Sequence, residues 1–261
     1  MDNNSFSGFI PLAEAISSIH IIQAQNGWLA VDKPCGVSVH NDPGHDLVSI
    51  VTQMLGSDTQ ITARPGLEPG FTVHPVHRLD METSGVMLLA THADSLAQLS
   101  EQFKQGQVKK KYMALVHGLV EAQLPDPGYR VWQYPLAKTA GGRNNPKGSG
   151  QLVACQTRYK LIDKSRHYSL IQIDLITGRK HQIRRHAKLA GHPVTGDTRY
   201  GSKKSIDFLK NKCNYTRLGL HCQSIELVFP GQTEPMCIQS GQSLDDMIRL
   251  LETDKPLETN E

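Results

Sequence analysis

The run 77–85 (HRLDMETSG) puts Asp80 two residues after Arg78, between two apolar stretches. The stretch before it, 71–76, predicts a short strand, and the stretch after it, 86–90, predicts a buried strand. A carboxylate on a turn that rigid strands hold can face a cleft and act there as a nucleophile or stabilise charge. The same aspartate could instead hydrogen-bond its own turn, as Asp often does before Thr, Ser and Gly. Spacing alone leaves both interpretations open.

A second polar feature is the run 177–191, which follows a clear buried strand predicted at 170–176. Thr177 can cap a helix that ends at Gly191, with a proline beyond it. Apolar residues at three- and four-residue spacing would point to the core, and a basic face would point away from it. This face could bind phosphates or a carboxylate. It would carry His181, Arg184 or Arg185, and Lys188.

Positive charge is concentrated in one region of the sequence. The chain of 261 residues has a net charge of +3, yet residues 178–217 contain eleven Lys and Arg against two Asp. This window therefore carries +9 and the rest of the chain −6. Such an excess suits a polyanion held against one face, with an affinity that falls as salt rises. A basic solvated face without a partner would give the same composition.

Composition argues against several classes of protein. No apolar run reaches the eighteen residues that a membrane span needs, and residues 1–4 lack the basic start of a secretory signal. Five scattered cysteines, without a Cys-x-x-Cys pair, predict reduced thiols in a cytoplasmic protein. The histidines lack metal-ligand spacing, and no dinucleotide fingerprint or phosphate-binding loop occurs. We therefore expect no metal, no nucleotide and no other cofactor.

The order of the predicted elements indicates an α+β fold. Alternation predicts a strand at 108–117, and a strand at 28–31 enters a turn at 33–36 (KPCG). Apolar spacing predicts helices at 46–55 and at 91–103, the second capped by Thr91. We expect a mixed, largely antiparallel central sheet with flanking helices.

The length allows one large domain or two fused subdomains. Residues 1–26 are expected to form a lead segment whose isoleucines (Ile16, Ile19, Ile21 and Ile22) pack on the main domain, 27–261. Within that domain, residues 121–150 are rich in Pro, Gly and Asn. They predict a mobile surface insertion that could contact a substrate.

Several motifs together resemble one known family. The run 77–85 is similar to the signature of the RluA family of RNA pseudouridine synthases. The further matching motifs follow in the family's order: KPCGVSVH at 33–40, KYMALVHG at 111–118, TGRKHQIRRH at 177–186, GHP at 191–193, GDTRYG at 196–201 and LGLH at 218–221. They cover roughly residues 28–230. The chain resembles a compact member, without the S4 RNA-binding domain that many relatives carry in front.

The resemblance implies an isomerase that converts a specific uridine of structured ribosomal or transfer RNA to pseudouridine. It implies that Asp80 is the catalytic nucleophile and that Arg184 keeps this carboxylate ionised and oriented. It also implies that Tyr112 contacts the base and takes part in proton transfer from C5. Residues alone leave Arg185 as a rival for Arg184, and Tyr112 as an ordinary half-buried aromatic. They do not distinguish attack on the base, attack on the ribose and abstraction of a ribose proton.

The family also suggests how RNA would be held. Its arginine at the position of Arg78 helps to keep the target nucleotide flipped out of the stack. Ile183 fills the place of an apolar residue that packs against the base, and it could equally be core. The remaining predicted RNA- and base-binding residues are His77, Arg179, Lys180 and Arg185, with Lys109, Lys110, Lys203 and Lys204 as candidate phosphate contacts.

Two rival functions belong to other classes. A non-catalytic RNA-binding or ribosome-assembly protein could use the same fold, although it would not need Asp80, Tyr112 and Arg184 together. A glycoside or nucleoside hydrolase could pair Asp80 with Glu82. Only two tryptophans are available as a sugar platform, which argues against the hydrolase. The expected partner is an RNA stem-loop, with no membrane, and the expected state is a monomer.

Overall fold

The computed structural model describes residues 18–57, 66, 68, 70–120 and 128–256. The chain divides into two compact units. The first unit comprises Met1–Gln105 and Leu227–Gly241, and the second comprises Gly106–Glu226 and Gln242–Glu261. No helix in the described part of the chain is both long and apolar enough to cross a membrane.

The first unit is built on an antiparallel sheet. β2 (Trp28–Lys33) pairs with β1 (His20–Gln25) and with β4 (Ser84–Ala90), and β3 (His74–Pro75) pairs with β4. Both β2 and β4 are buried along their whole length, and they contain the apolar runs predicted as strands at 28–31 and 86–90. The remaining elements of this unit are α1 (Leu47–Ser57), α2 (Ala93–Lys104) and β12 (Pro235–Gln239).

The second unit contains a longer antiparallel sheet, in the strand order β11–β5–β10–β9–β6. Its strands are β5 (Lys109–His117), β6 (Tyr129–Trp132), β9 (Thr157–Lys164), β10 (Tyr168–Leu175) and β11 (Leu220–Val228). A separate hairpin pairs β7 (Leu136–Thr139) with β8 (Ser149–Val153). The helices are α3 (Gln182–Leu189), α4 (Lys203–Cys213) and α5 (Asp245–Thr253).

The core of the second unit lies between its sheet and two of its helices. Leu115 and Leu170 on the strands cluster with Leu209 on α4 and with Met247 and Leu250 on α5. Burying such side chains removes apolar area from water and fixes the helices on the sheet. Helices that flank antiparallel sheets confirm the predicted α+β class.

Two helix starts predicted from the sequence are wrong. Thr91 does not cap α2: its hydroxyl donates to the main-chain O of Gly66 at 3.2 Å, and the Glu68 carboxylate accepts from Ala93 N at 2.9 Å. The helix predicted from Thr177 begins only at Gln182. The preceding residue, His181, has φ 53°, and this left-handed backbone cannot continue a right-handed helix.

The predicted lead segment and the predicted insertion both contain paired strands. β1 pairs with β2 across the expected boundary at 26/27, so residues 20–25 belong to the sheet. Ile16 lies outside the described residues. The predicted insertion at 121–150 contributes β6, β7 and the start of β8 to paired strands, and its part 121–127 is outside the described residues. Its mobility and its contact with a substrate stay predictions.

Candidate active site

The turn that carries Asp80 lies in the first unit, between β3 and β4. Asp80 is half-buried, and its main-chain O accepts a hydrogen bond from Thr83 N at 3.0 Å. The next main-chain oxygen, that of Met81, accepts from Gly36 N at 2.9 Å and from Lys33 Nζ at 3.0 Å. The motif at 33–40 therefore holds the turn on which the signature aspartate stands.

Lys33 places a buried ammonium beside this turn. Its Nζ donates to three main-chain oxygens, those of Pro34 (2.8 Å), Val37 (2.7 Å) and Met81 (3.0 Å). Burial lowers the pKa of Lys33 to about 8, against the opposing effect of the nearby Cys35, Asp80 and Glu82. Lys33 is therefore still mainly charged at neutral pH. The sequence prediction missed this role, although the Lys-Pro motif contained the signal.

His77 and Arg78 precede Asp80 and have different surroundings. The Nε2 atom of His77 accepts from Leu88 N at 3.1 Å, and its ring stacks on Phe103 with centroids 4.6 Å apart. These contacts extend the pairing of β3 with β4, and the RNA contact predicted for His77 stays a prediction. Arg78 is exposed, and it makes no hydrogen bond or ion pair with any described residue.

In the second unit, Arg184 forms a buried two-point ion pair with Asp197. Nε donates to Oδ2 at 2.8 Å and Nη2 donates to Oδ1 at 2.9 Å, and both side chains are at most 1% exposed. Oδ1 also accepts from the main-chain N of Arg199 (3.0 Å) and of Tyr200 (2.9 Å). Such a planar pair fixes the direction of the guanidinium. The sequence prediction noted the motif GDTRYG at 196–201 but not this role of its aspartate.

The loop before α3 is held by side chains of the same region. The amide oxygen of Gln182 accepts from Thr177 Oγ1 at 2.8 Å and from Arg179 N at 3.0 Å. His181 Nδ1 and the Tyr200 hydroxyl are hydrogen-bonded at 2.9 Å. These contacts connect the motif at 177–186 with the motif at 196–201, and both therefore help to position Arg184.

Tyr112 and Ile183 are both buried within the second unit. Tyr112 lies on β5, paired with Ile173 on β10 and Cys222 on β11. The strand predicted at 108–117 is confirmed as β5, but burial does not alternate along it, because Ala114, Leu115 and Val116 are all buried. Ile183 is on α3, where burial fits the predicted apolar role next to a base as well as it fits core packing.

Arg185 does not occupy the solvent-facing position that was predicted for it. Its guanidinium is buried and donates to main-chain oxygens of Ala137 (3.1 Å), Lys180 (3.1 Å), Pro146 (2.6 Å) and Lys147. Because its donors are used by the hairpin β7–β8 and by the loop before α3, Arg185 supports these segments and is not available for phosphate. Arg184 and Arg185 therefore do not form the solvent-facing basic surface predicted for this helix.

The basic residues that do face solvent lie in the loop before α3. The side chains of Arg179 and Lys180 are exposed and have no ion pair with the residues that the structure describes. Lys109, in contrast, pairs with Glu226 at 2.6 Å. Within the described residues, no three His, Cys, Asp or Glu side chains are grouped so that they could hold a metal ion.

The predicted site residues thus belong to two groups. Asp80 and Arg78 are in the first unit, whereas Tyr112, Ile183 and Arg184 are in the second. Inside the second unit, the structure brings Arg184 together with a counter-ion that had not been predicted. The action of Arg184 and Tyr112 on Asp80 stays a prediction.

Solved structures with a similar fold are pseudouridine synthases. The human protein named RNA pseudouridylate synthase domain containing 4 superimposes with a TM-score of 0.68 at 24% identity, and the match covers 92% of this chain and 94% of that chain. The human RNA pseudouridylate synthase domain containing 1 gives a TM-score of 0.64 at 19% identity. The fold is therefore that of pseudouridine synthases, as predicted.

Sequence comparison gives the family. The model of the family described as RNA pseudouridylate synthase matches residues 27–189, and the chain belongs to this family, which confirms the resemblance to RluA-type enzymes. Ribosomal large subunit pseudouridine synthase C of Buchnera aphidicola is 35% identical over 84% of this chain, which spans 65% of that relative's length. A tRNA pseudouridine synthase C of Haemophilus ducreyi is 31% identical over 85% of this chain and 90% of its own length.

Proposed function

We propose that the protein isomerises a specific uridine to pseudouridine in structured ribosomal or transfer RNA. One observation carries the proposal: Asp80, the signature aspartate of the family, stands on a fixed turn. The buried Lys33 and the main-chain N of Gly36 hold this turn by hydrogen bonds to the main-chain O of Met81. A catalytic group needs such fixed support. The names of the relatives, which act on the ribosomal large subunit or on tRNA, motivate the two classes of RNA.

In the proposed reaction, Asp80 is the nucleophile. The bond between uracil N1 and ribose C1′ breaks, the base turns, and a bond forms between C5 and C1′. C5 loses its proton and N1 gains one, so the step is balanced without an oxidant, a reductant or a nucleoside triphosphate. A carboxylate suits this step because carboxylates also serve as nucleophiles in glycosyl transfer, where they stabilise a sugar that has lost its leaving group.

Arg184 supplies the charge that keeps Asp80 ionised in a dry site, where burial alone would favour the neutral acid. The pair with Asp197 supports this role, since it prevents the guanidinium from turning. Tyr112 contacts the uracil ring and takes part in removing the C5 proton, and Ile183 packs against the base. These roles come from the family and from the buried positions of the side chains.

RNA is held by exposed cations. Arg78 helps to keep the target nucleotide out of the stack, and its exposed side chain supports that role. Arg179 and Lys180 bind phosphates, which makes the affinity fall with salt. We propose further that the protein acts as a monomer in the cytoplasm, where its five free cysteines would stay reduced.

The function can be tested by mapping pseudouridines with carbodiimide across ribosomal and transfer RNA. Cells without the gene should lack pseudouridine at one or a few sites. A plasmid with the wild-type gene should restore them, and Asp80→Asn should not, although the variant is present at the same level. Arg166→Gln, an exposed change in the second unit outside every predicted site, is the matched control and should restore modification.

Three results would contradict the proposal. No loss of any pseudouridine in the deletion strain would exclude the reaction in these RNAs. Full restoration by Asp80→Asn would favour a non-catalytic RNA-binding protein. Release of free uracil from RNA by the purified protein would indicate the nucleoside hydrolase.

A further inference from the structure

One ridge of α4 combines two lysines with an exposed aromatic ring. Lys204, Phe208 and Lys212 are spaced four residues apart, so they follow each other on one side of the helix, about 6 Å apart along its axis. All three side chains are exposed, and Phe208 is 53% exposed. It is the one exposed Phe, Tyr or Trp in the described ranges 18–57, 66, 68, 70–120 and 128–256. A phenylalanine in water forgoes the burial that usually stabilises this residue.

The ridge is held rigidly. α4 begins at Ser202, whose Oγ accepts from Ser205 N at 3.1 Å, and ends at Asn214 in the left-handed conformation. Its apolar side is used already, because Leu209 is fully buried in the core of the second unit. A membrane surface is therefore a poor occupant, since an interfacial helix needs its whole apolar face for the bilayer.

The charge of the ridge fits a polyanion. α4 contains four lysines and one aspartate, Asp207, and it lies in the window of +9 at 178–217. Lys204 and Lys212 make no ion pair or hydrogen bond with the residues that the structure describes. Their charges are therefore not neutralised inside the chain. An aromatic ring between two such cations has the chemistry that receives an unpaired base and its phosphates.

We propose that this ridge, Lys204–Phe208–Lys212, binds a single-stranded segment of RNA. An unpaired base stacks on Phe208, and the neighbouring phosphates lie at the two ammonium groups. A base inside a duplex has no free face, so the ridge selects a loop or bulge over a stem. This inference rests on the proposed function, to which it adds a second contact with the RNA substrate.

The test measures RNA binding by fluorescence anisotropy with the full chain. The probes are a labelled oligouridine and a fully paired duplex of the same length, each between 50 and 200 mM salt. Phe208→Ala should weaken oligouridine binding about tenfold or more, with an unchanged salt dependence. The double variant Lys204→Gln/Lys212→Gln should lower the slope of log K against log salt by about 1.4, because each single-strand phosphate contact contributes about 0.7.

Two substitutions of exposed residues away from the ridge are controls: Ile248→Ala on α5 and Lys104→Gln on α2 should both bind as the wild type does. Thermal unfolding of each variant checks that it is folded. The inference is overturned if Phe208→Ala and the lysine variant bind as tightly as wild type, if the wild type does not bind oligouridine, or if it prefers the duplex. Displacement of the RNA by polyglutamate as effectively as by unlabelled oligouridine would also overturn it, in favour of an acidic protein partner.

Pseudouridine formation, measured on the same proteins, separates this inference from the proposed function. If the wild-type protein forms pseudouridine and the ridge variants bind RNA as tightly as wild type, only the RNA-binding role of the ridge is refuted. Binding that depends on Phe208, in a protein that forms no pseudouridine from cellular RNA, would refute the proposed function and keep the ridge.

Discussion

Asp197→Asn tests whether the buried ion pair fixes Arg184. The carboxylate of Asp197 accepts from Arg184 Nε at 2.8 Å and from Nη2 at 2.9 Å, while Oδ1 also accepts from two main-chain N–H groups. Asparagine has the same shape but no charge. Its amino group would face a guanidinium N–H, so a hydrogen bond would become a contact between two donors.

The expected loss follows from the burial of the pair. Both side chains are at most 1% exposed, and breaking such a pair by removing one partner costs about 3–5 kcal/mol. For a chain of this size, the melting temperature should fall on the order of 10 °C. Asp163→Asn is the matched control, because Asp163 pairs with Lys255 at 2.8 Å in a solvent-exposed position. That change should cost less than about 1 kcal/mol.

Urea unfolding of four proteins completes a double-mutant cycle: wild type, Asp197→Leu, Arg184→Met and the double variant. Two apolar residues can replace a buried ion pair at little cost, so the double variant should regain about 2 kcal/mol or more over the sum of the single changes. It should nevertheless form no pseudouridine. Additive losses in the cycle, or wild-type stability of Asp197→Asn, would refute the argument that this pair fixes Arg184.

Two further predictions concern buried cations. Burial lowers the pKa of Lys33 from 10.5 to about 8. Between these two pH values, Lys33 is protonated in the unfolded chain and has lost its proton in the folded chain. Lys33 therefore makes the free energy of unfolding rise with pH in this range. The rise is up to about 3 kcal/mol, and Lys33→Met should remove it. The check is urea unfolding of both proteins from pH 7.5 to 10.5, and identical pH profiles for wild type and Lys33→Met would disprove the prediction. Arg185→Met should speed amide exchange in residues 136–153 about tenfold or more, because the hairpin loses charge-assisted hydrogen bonds. Lys188→Met is the control, and outside residues 136–153 the two variants should exchange their amide hydrogens at the same rates. If Arg185→Met leaves exchange in the hairpin unchanged and alters the salt dependence of RNA binding, Arg185 contacts a phosphate.

The sheets and the signature turn could be predicted because their signals are local. The continuous apolar runs at 86–90 and 170–176 became β4 and β10, and the alternation at 108–117 became β5. The helix predicted at 91–103 became α2, and Gly106, with φ 71°, follows its end. In each case the relevant interaction lies within a few residues of the pattern.

The missed features depend on long-range contacts or on unusual backbone. Arg185 was predicted at the surface because helical spacing places it on one face with other basic residues. Its carbonyl partners at 137 and 147, however, belong to a hairpin that is distant in sequence. The late start of α3 follows from the left-handed conformation of His181, which no residue type at that position signals. Asp197 is preceded by Gly196, with φ 68°, where a side chain would collide with the main chain of Arg217. A Gly-Asp pair that allows such close approach is a signal that could have indicated a buried, fixed aspartate.

The central claim is that Asp80 is the nucleophile of uridine isomerisation, and release of the C5 hydrogen tests it most directly. Ribosomal and transfer RNA from cells without the gene would be labelled with tritium at uracil C5 and incubated with purified protein. Wild type should release tritium into water, whereas Asp80→Asn should release none above background while binding the same RNA with wild-type affinity. Equal release by Asp80→Asn, or no release by the wild-type protein, would contradict the claim.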